Sequence, residues 1–346
     1  MRKGRIKTWF MKIVHFKKAP RWSVLIAALT ILFGVIAFLI WAGSPIDHRQ
    51  ATVVVEIPKG SSFTRIVDII DEAGMVTNKP FFYLLSIFLG ATRQIKAGEY
   101  ELSTAMTPAE VIEKLVRGEI KTYKILIPED FTAREIAARL AFYKLVNEKT
   151  FMALASDQAF LRSLGIEGGS IEGYLYPDTY NFDRSLTDRE IIRTMVSQFR
   201  KVVTPAMLAR ARSLGLTAAQ FVTLASMIGR ESGYKEEKPL IAAVFYNRLK
   251  RSMKLQSDPT AVYRLEGSPG VVTRRHLQTA TPYNTYLIEG LPPGPIANPG
   301  IDSLQAALHP ARVNYLYFVS KNDGSHQFST TFLGHNQAVI KYRMER

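Results

Sequence analysis

The feature that most constrains this chain is an uninterrupted apolar segment near its N-terminus, WSVLIAALTILFGVIAFLIWAG, residues 22–43. As an α-helix it would extend about 33 Å, enough to cross a hydrocarbon layer of about 30 Å. Trp22 and Trp41 lie near its two ends, where the membrane interface favours indole rings. Signal peptides have shorter apolar regions, and buried core helices are seldom apolar on every face. The segment therefore predicts a single, uncleaved transmembrane helix.

The distribution of charge predicts the orientation of this helix. Eight Lys and Arg residues and no acidic residue lie in residues 1–21, within a chain of net charge +15. Because basic flanks stay in the cytoplasm, we expect 1–21 to be a cytoplasmic tail. Residues 44–51 would be a spacer, and the rest of the chain would lie outside the cytoplasmic (inner) membrane. Topology thus explains much of the basicity, and without a nucleic-acid-binding signature we predict no nucleic-acid partner.

Several kinds of chemistry are excluded by composition and spacing. The chain has no cysteine, which removes thiolate catalysis, disulfides and Cys-ligated zinc. His309, His326 and His335 have neither HExxH nor His-x-x-x-His spacing, and no glycine-rich segment carries the Lys-Ser/Thr of a phosphate loop. We therefore predict no metal site and no cofactor.

Residues 52–120 have the pattern of a small α/β module. TVVVEIP predicts a strand, helices are expected through residues 66–70 and from Lys79, and IKAGEYELS predicts a second strand. Thr107 marks the start of a last helix and Gly118 its end. The Ile-Pro pair of the first strand recurs after this helix, in Ile-Pro-Glu, which places a domain boundary near residue 120.

An internal repeat connects this module with the residues that follow it. Residues 57–86 align without gaps with residues 127–156, and eight positions are identical, including the Ile-Pro pair that opens each copy. The match predicts a reused unit of one strand and two helices, although shared strand–turn–helix patterning accounts for part of it.

The remainder, residues 121–346, predicts a mixed domain. SIEGYLYPDTYNF, residues 170–182, is too rich in Gly, Pro and Tyr for a long regular element, whereas residues 188–201 have a helical pattern. YLYFVS and HQFSTT flank an Asn-Asp-Gly turn, which is a strong hairpin signal. The whole exported part therefore predicts an α+β fold.

The best candidate for chemistry is Glu231, near the end of LASMIGRES. Thr217 and Gln220 form a capping box that starts a helix at Ala218, and the spacing puts Glu231 at the edge of the apolar stripe. Apolar neighbours and the negative end of the helix dipole both raise the pKa of a carboxyl group. A general acid needs a raised pKa near neutral pH, although a solvated helix end beside an arginine is the simpler interpretation.

Polar and aromatic residues elsewhere in this domain strengthen the catalytic interpretation. EKPLIAAVFYNRLKR predicts a helix, LQSDPTAVY predicts a short helix capped by Asp258, and the Pro-, Gly- and Asn-rich residues 281–300 predict a loop. Aromatic faces stack on sugar rings, and amides offer both donors and acceptors. The candidate substrate-binding residues are Glu172, Asn247, Gln256, Asp258, Tyr283, Asn284 and Tyr286. Each has a structural alternative: a helix cap for Asp258, a buried turn acceptor for Glu172, and loop packing or structural hydrogen bonds for the others.

The motifs EGYLYPDTY, SMIGRES, FYNRL, LQSDPTAVY, PYNTY, GLPPGPIANPG, LYFVS and HN occur in this order. In this respect the chain resembles the endolytic murein transglycosylase (YceG-like) family over residues 52–342, and residues 52–120 resemble that family's LysM-like module. Residues 121–346 would then be the transglycosylase domain.

The resemblance implies a membrane-anchored lytic transglycosylase with Glu231 as its catalytic residue. Such an enzyme cleaves nascent peptidoglycan glycan strands between MurNAc and GlcNAc, leaves 1,6-anhydroMurNAc ends and ends strand elongation. Its partners would be glycan strands, the cytoplasmic membrane and peptidoglycan synthases. Two positions depart from the family pattern: Gly229 and Gly334 stand where many members have glutamate. The first leaves Glu231 alone in its motif, and the second removes an acid before His335 and Asn336.

Two rival functions remain open at this point. A hydrolytic muramidase would need a second carboxylate, for which Glu172 and Asp258 are the candidates. A non-catalytic wall-binding anchor for synthases would need none, but such a protein has no reason to hold an acid at the apolar edge of a helix.

Overall fold

The computed structural model describes residues 21–47, 50–265 and 272–344. Two units divide the chain, Met1–Lys121 and Thr122–Arg346. In both units the described residues form helices and short antiparallel strand pairs, so the α+β prediction is confirmed. The cytoplasmic tail predicted for residues 1–21 lies outside the described residues apart from its last residue.

The predicted transmembrane segment forms one helix, α1 (Arg21–Ala42). Its portion Trp22–Ala42 is the one helix among the described residues that is long and apolar enough to cross a membrane. Most of its apolar side chains are exposed, including Ile31 at 67% and Phe33 at 73%. An apolar surface of this size is stable in contact with lipid rather than water.

The N-terminal unit continues with two strands and three helices. They are β1 (Thr52–Ile57), α2 (Phe63–Glu72), α3 (Lys79–Phe88), β2 (Gly98–Ser103) and α4 (Pro108–Arg117), with a 3-10 turn at Ala91–Arg93. The two strands pair antiparallel, from Thr52 opposite Ser103 to Ile57 opposite Gly98. Val55, Ile70, Tyr100 and Leu115 are among the residues that fill the core.

The C-terminal unit opens with the second copy of the repeat. It contains β3 (Tyr123–Leu126), α5 (Ala133–Phe142), α6 (Glu148–Leu154), α7 (Gln158–Ser163) and β4 (Thr179–Phe182). Helix α5 lies 70 positions after α2, and β3 pairs antiparallel with β4 as β1 does with β2. Gly74 and Lys144, one position beyond the respective helix caps, both have positive φ. The predicted repeat of a strand and two helices is confirmed.

The rest of this unit is mostly helical. Its elements are α8 (Asp188–Val202), α9 (Pro205–Ser213), α10 (Ala218–Glu231), α11 (Lys238–Lys250), α12 (Asp258–Val262), α13 (Arg274–Gln278), α14 (Ile301–Leu308), β5 (Tyr317–Ser320), β6 (His326–Ser329) and α15 (Phe332–Met344). Strands β5 and β6 form the hairpin predicted around the Asn-Asp-Gly turn. One apolar core lies against α5–α8 and a second surrounds α10 and α11.

Candidate active site

Helix α10 is the platform that positions Glu231. The Thr217 hydroxyl accepts a hydrogen bond from the Gln220 N–H, and the Gln220 side chain accepts one from the Thr217 N–H, so the predicted capping box is present. From Phe221 through Gly229 every residue is buried, and α10 packs closely on α14. The helix ends at Glu231 itself. A fully packed helix thus fixes the backbone that carries this carboxyl group.

The Glu231 carboxyl is held at one oxygen only. Ser257 Oγ donates a hydrogen bond to Glu231 Oε1 at 2.5 Å, while Oε2 has no hydrogen-bond partner among the described residues. The pKa of Glu231 is raised to about 8, mainly by burial; the Ser257 hydrogen bond and Arg248 act to lower this pKa, and nearby Asp258 acts to raise it. Glu231 is nevertheless half-buried rather than sealed. It is therefore a protonated carboxyl group at neutral pH that a ligand can reach.

Ser257 is a site residue that the sequence did not predict. It is completely buried, its N–H donates to Thr285 Oγ1 at 2.9 Å, and its carbonyl accepts from Thr260 Oγ1 at 2.6 Å. These bonds hold the Ser257 hydroxyl toward Glu231. Ser257 also occupies the N-cap position of α12, although its side chain does not cap the helix. The prediction that Asp258 caps this helix is wrong, because Asp258 is its first residue.

The side chain of Asp258 instead contacts Tyr286. The Tyr286 hydroxyl donates to Asp258 Oδ1 at 2.6 Å, and the Tyr286 N–H donates to Asn284 Oδ1 at 3.0 Å. Burial and the Asp258 carboxylate raise the pKa of Tyr286, and Glu231 is close enough to contribute. Asp258 and Tyr286, two of the predicted site residues, are therefore brought to the Glu231 carboxyl.

Arg248 on α11 places a buried positive charge beside the same group. Its Nε donates to the Leu316 carbonyl at 2.7 Å, and one terminal nitrogen donates to the Leu255 carbonyl at 2.9 Å and to Gln256 Oε1 at 3.1 Å. Gln256, a predicted site residue, has a φ of 51° and an exposed side chain. Arg248 was not predicted from the sequence, since FYNRL reads as an ordinary helix end.

Glu172 belongs to a different network. It is buried, with Oε1 accepting from the Ala133 N–H and from Asn298 Nδ2, both at 2.8 Å, and Oε2 accepting from the Tyr263 hydroxyl at 3.0 Å. Burial raises the pKa of this carboxyl to about 7. Asn298 Oδ1 also accepts from the N–H groups of Gly173 and Leu175. These contacts are those of a buried turn acceptor, the alternative weighed for Glu172.

Tyr283 lies with this second network. Its ring centroid is 4.7 Å from that of Tyr263, the residue that donates to Glu172, and the Arg264 guanidinium lies 5.3 Å from the Tyr283 ring centre. Tyr283 and Tyr286 are only three positions apart, yet their side chains join different clusters.

The two predicted asparagines hold loop backbone. Asn247 Nδ2 donates to the carbonyls of Val313 and Tyr315 at 2.8 and 3.0 Å. Asn284 is fully buried, and its Nδ2 donates to carbonyls at the end of α13, including that of Thr279 at 2.8 Å. Neither amide group is directed to Glu231 by these contacts.

Gly229, one of the two departures from the family pattern, has a structural counterpart in Asp130. The Asp130 carboxyl lies in the space that a side chain at Gly229 would occupy. Asp130 has a φ of 62°, and its Oδ2 is 4.0 Å from Lys238 Nζ. Its Oδ1 is buried and has no hydrogen-bond partner within the described part of the chain. Burial raises its pKa to about 6. A carboxyl group thus occupies this position from another part of the chain.

His335 follows Gly334, the second departure. Its ring stacks on Tyr317 at 5.1 Å between centroids, and the Arg248 guanidinium lies 5.2 Å from the same Tyr317 ring. His335 is therefore linked to the Glu231 surroundings through Tyr317 and Arg248.

A protein-family model and individual relatives agree on what this chain is similar to. The model of the YceG-like family matches residues 55–341. An endolytic murein transglycosylase of Bacillus subtilis is 34% identical over 86% of this chain and 87% of its own length. An endolytic murein transglycosylase of Streptococcus pneumoniae is 29% identical over 86% of this chain, which spans 60% of that relative's length.

A solved structure extends this likeness to the fold. The crystal structure of a YceG-like protein from Listeria monocytogenes superimposes with a TM-score of 0.58 and 32% sequence identity, covering 84% of this chain and 99% of that one. With the family model spanning most of its length, this chain belongs to the YceG-like family.

Proposed function

We propose that this chain is a membrane-anchored endolytic lytic transglycosylase of peptidoglycan, with Glu231 as its catalytic acid and base. The observation that carries the proposal is the Glu231 carboxyl: its pKa is raised to about 8, and one of its oxygens is free of hydrogen bonds among the described residues. The names of the Bacillus and Streptococcus relatives support the substrate class.

The first step is proton donation to the glycosidic oxygen. Ser257 Oγ donates to Oε1, so the carboxylic proton of Glu231 resides on Oε2. This proton passes to the oxygen between MurNAc and GlcNAc while the bond from that oxygen to C1 breaks, and the bonding electron pair leaves with the oxygen. Positive charge develops at C1 of the MurNAc ring in an oxocarbenium-like transition state.

The second step uses the carboxylate that results. It removes the proton from the C6 hydroxyl of the same MurNAc, and O6 closes on C1 to give a 1,6-anhydro ring. The Glu231 carboxyl is then protonated again, and no water is consumed. A raised pKa suits both steps, because it keeps the resting acid protonated and makes the carboxylate a competent base.

The contacts of the other carboxyl groups favour this reaction over hydrolysis. Glu172 is buried and both of its carboxyl oxygens already accept hydrogen bonds, from Ala133 and Asn298 on Oε1 and from Tyr263 on Oε2, so it is poorly suited to activate a water. Asp258 remains the candidate for a second carboxylate, but its Oδ1 is engaged by Tyr286 at 2.6 Å. We assign Asp258, Tyr286 and Gln256 to substrate binding near Glu231, and Tyr283 to packing around Glu172.

Helix α1 determines the proposed location of the protein. Helix α1 would anchor the protein in the cytoplasmic membrane with residues 44–346 outside, where nascent strands and their synthases are found. Cleavage there would end strand elongation.

Residues 52–120, as a LysM-like module, would bind glycan, and deleting them should weaken retention on purified peptidoglycan. Unchanged retention would refute that binding role.

Mass spectrometry of products tests the reaction directly. Purified uncrosslinked glycan strands are incubated with the full-length protein in detergent, and the new chain ends are analysed. We expect 1,6-anhydroMurNAc ends from internal cleavage. Reducing ends would instead identify a hydrolase, and intact strands would identify a binding protein.

A further inference from the structure

Helix α3 carries an apolar surface that the core of the N-terminal unit does not use. Phe82 and Leu85 point into that core, at 0% and 8% exposure. The second half of the helix and the residue after it also carry exposed apolar side chains. These side chains, here called the α3 apolar tip, are Leu84 at 42%, Ile87 at 62%, Phe88 at 73% and Leu89 at 52%. Exposed apolar residues clustered in this way indicate a binding surface.

The same helix packs against the end of the transmembrane segment. The Phe38 ring of α1 lies 5.4 Å from Phe81 and 6.2 Å from Phe88, and the Trp41 ring lies 5.5 Å from Phe81. Trp41 Nε1 also donates to Thr77 Oγ1 at 2.7 Å, just before α3. The position of α3 along the axis of α1 is therefore defined by side-chain contacts.

These contacts give the direction in which α3 runs. Its first turn meets both Trp41 and Phe38, whereas Phe88, near its end, meets Phe38 alone. Phe38 precedes Trp41 by three residues, or about 4.5 Å along α1 toward the middle of the span. From its first residue to its last, helix α3 therefore runs in the direction of the middle of the α1 span. The α3 apolar tip is at the end of α3 that lies nearest the lipid. Interfacial helices insert their apolar faces to a depth of about 5–10 Å.

The charges of this segment fit a lipid surface. From residue 73 to residue 98 the sequence has no acidic residue and three basic ones. Lys79 is paired with Asp68 and Asp71, which leaves Arg93 and Lys96 for a headgroup. Arg93 and Lys96 follow the apolar tip and are exposed. Basic side chains next to an inserted apolar face interact favourably with anionic headgroups.

We infer that the α3 apolar tip is a second membrane contact, inserted into the lipid leaflet at the C-terminal end of α1. The inserted tip and the transmembrane helix hold the N-terminal unit at two points, which restricts its rotation about the anchor. This inference rests on the proposed anchor and is independent of the proposed chemistry.

Spin-label accessibility tests the inference in the full-length protein. The chain has no cysteine, so single cysteines are introduced by Ile87→Cys, Phe88→Cys and, as a mid-span reference, Ile31→Cys. Val54→Cys and Phe142→Cys are matched controls, at exposed apolar positions of 46% and 81% exposure outside the α3 apolar tip. Each labelled protein is reconstituted in vesicles of phosphatidylethanolamine and phosphatidylglycerol. Collision with oxygen, which concentrates in lipid, is compared with collision with a water-soluble nickel complex.

We expect labels at 87 and 88 to collide several-fold more with oxygen than with nickel, as at 31, and the two controls to show the reverse. Nickel-accessible labels at 87 and 88, with 31 in lipid, would overturn the inference and leave the anchor intact. Labels at 87 and 88 shielded from both reagents would overturn it in favour of a protein partner. A nickel-accessible label at 31 would overturn the anchor and the α3 contact together.

Discussion

At the scale of single residues, the hydrogen bond from Ser257 to Glu231 affects both the pKa and the orientation of the Glu231 carboxyl. Because this bond stabilises the ionised carboxyl, Ser257→Ala should raise the pKa of Glu231 and move the alkaline limb of the pH–rate profile to higher pH. Loss of the hydrogen bond should also lower kcat about tenfold through misorientation. Kinetics across pH measure both effects. Ser213→Ala, where the hydroxyl contacts Arg210, is the control. An alkaline limb that stays in place would contradict this role.

The raised pKa of Glu231 also has a consequence for stability. Its ordinary value is 4.5 and its value in the fold is about 8, so between these pH values the native protein binds a proton that the unfolded chain does not. Stability from this group is present at lower pH and is lost as the pH rises through that window. Glu231→Gln does not titrate, so its Tm relative to the wild type should increase from about pH 5 to about pH 8.5. Calorimetry at the two pH values measures this. A difference independent of pH would contradict the raised pKa.

Some residues of the site could be predicted from sequence and others could not, for a physical reason. Glu231 was predictable because capping and periodicity are local and place it at the edge of a buried stripe. Ser257 bonds to a residue 26 positions away, and Glu172 is held by Asn298, 126 positions away. Contacts over such separations depend on tertiary packing, which no local pattern encodes.

At the scale of elements, the close approach of Asp130 to α10 makes a prediction about Gly229. An alanine there would meet the Asp130 carboxyl, so Gly229→Ala should destabilise the fold by about 1–3 kcal/mol. Asp130→Gly removes that carboxyl and suits the φ of 62°. The double variant should therefore lose less than the sum of the single losses. Denaturant unfolding of the three variants measures this coupling, and strict additivity would show that the two positions do not interact.

The elements themselves were predicted best where their signals are local. The helices that begin after Thr107 and Thr217 have complete capping boxes, and both start where the sequence placed them. Helix α12 was assigned the wrong cap, because Ser257 and Asp258 are both good N-cap residues and tertiary contacts of Ser257 decide between them. The short α13 lies next to a Pro- and Gly-rich loop, and Asn284 satisfies carbonyls at its end.

At the scale of the whole molecule, the proposed anchor predicts a fixed topology. All eight basic residues of the N-terminal flank precede the apolar segment, so residues 1–21 should be cytoplasmic and the C-terminus outside. Alkaline phosphatase, which is active only outside the cytoplasm, should be active when fused after Arg346. Green fluorescent protein exported in unfolded form should not fluoresce there. The opposite pair of results would reverse the orientation and separate the enzyme from its substrate.

The central claim is that one carboxyl group, Glu231, performs both proton transfers. Its most direct test is the rate at which 1,6-anhydroMurNAc ends form from purified glycan strands with the wild type, with Glu231→Gln and with Glu172→Gln. The glutamine at 231 has nearly the same shape but can neither donate a carboxylic proton nor accept one from O6, so the rate should fall by about 10²–10⁴. Glu172→Gln, the control at a buried structural carboxyl, should retain a much larger share of activity in its folded fraction. Near-normal cleavage by Glu231→Gln would contradict the account.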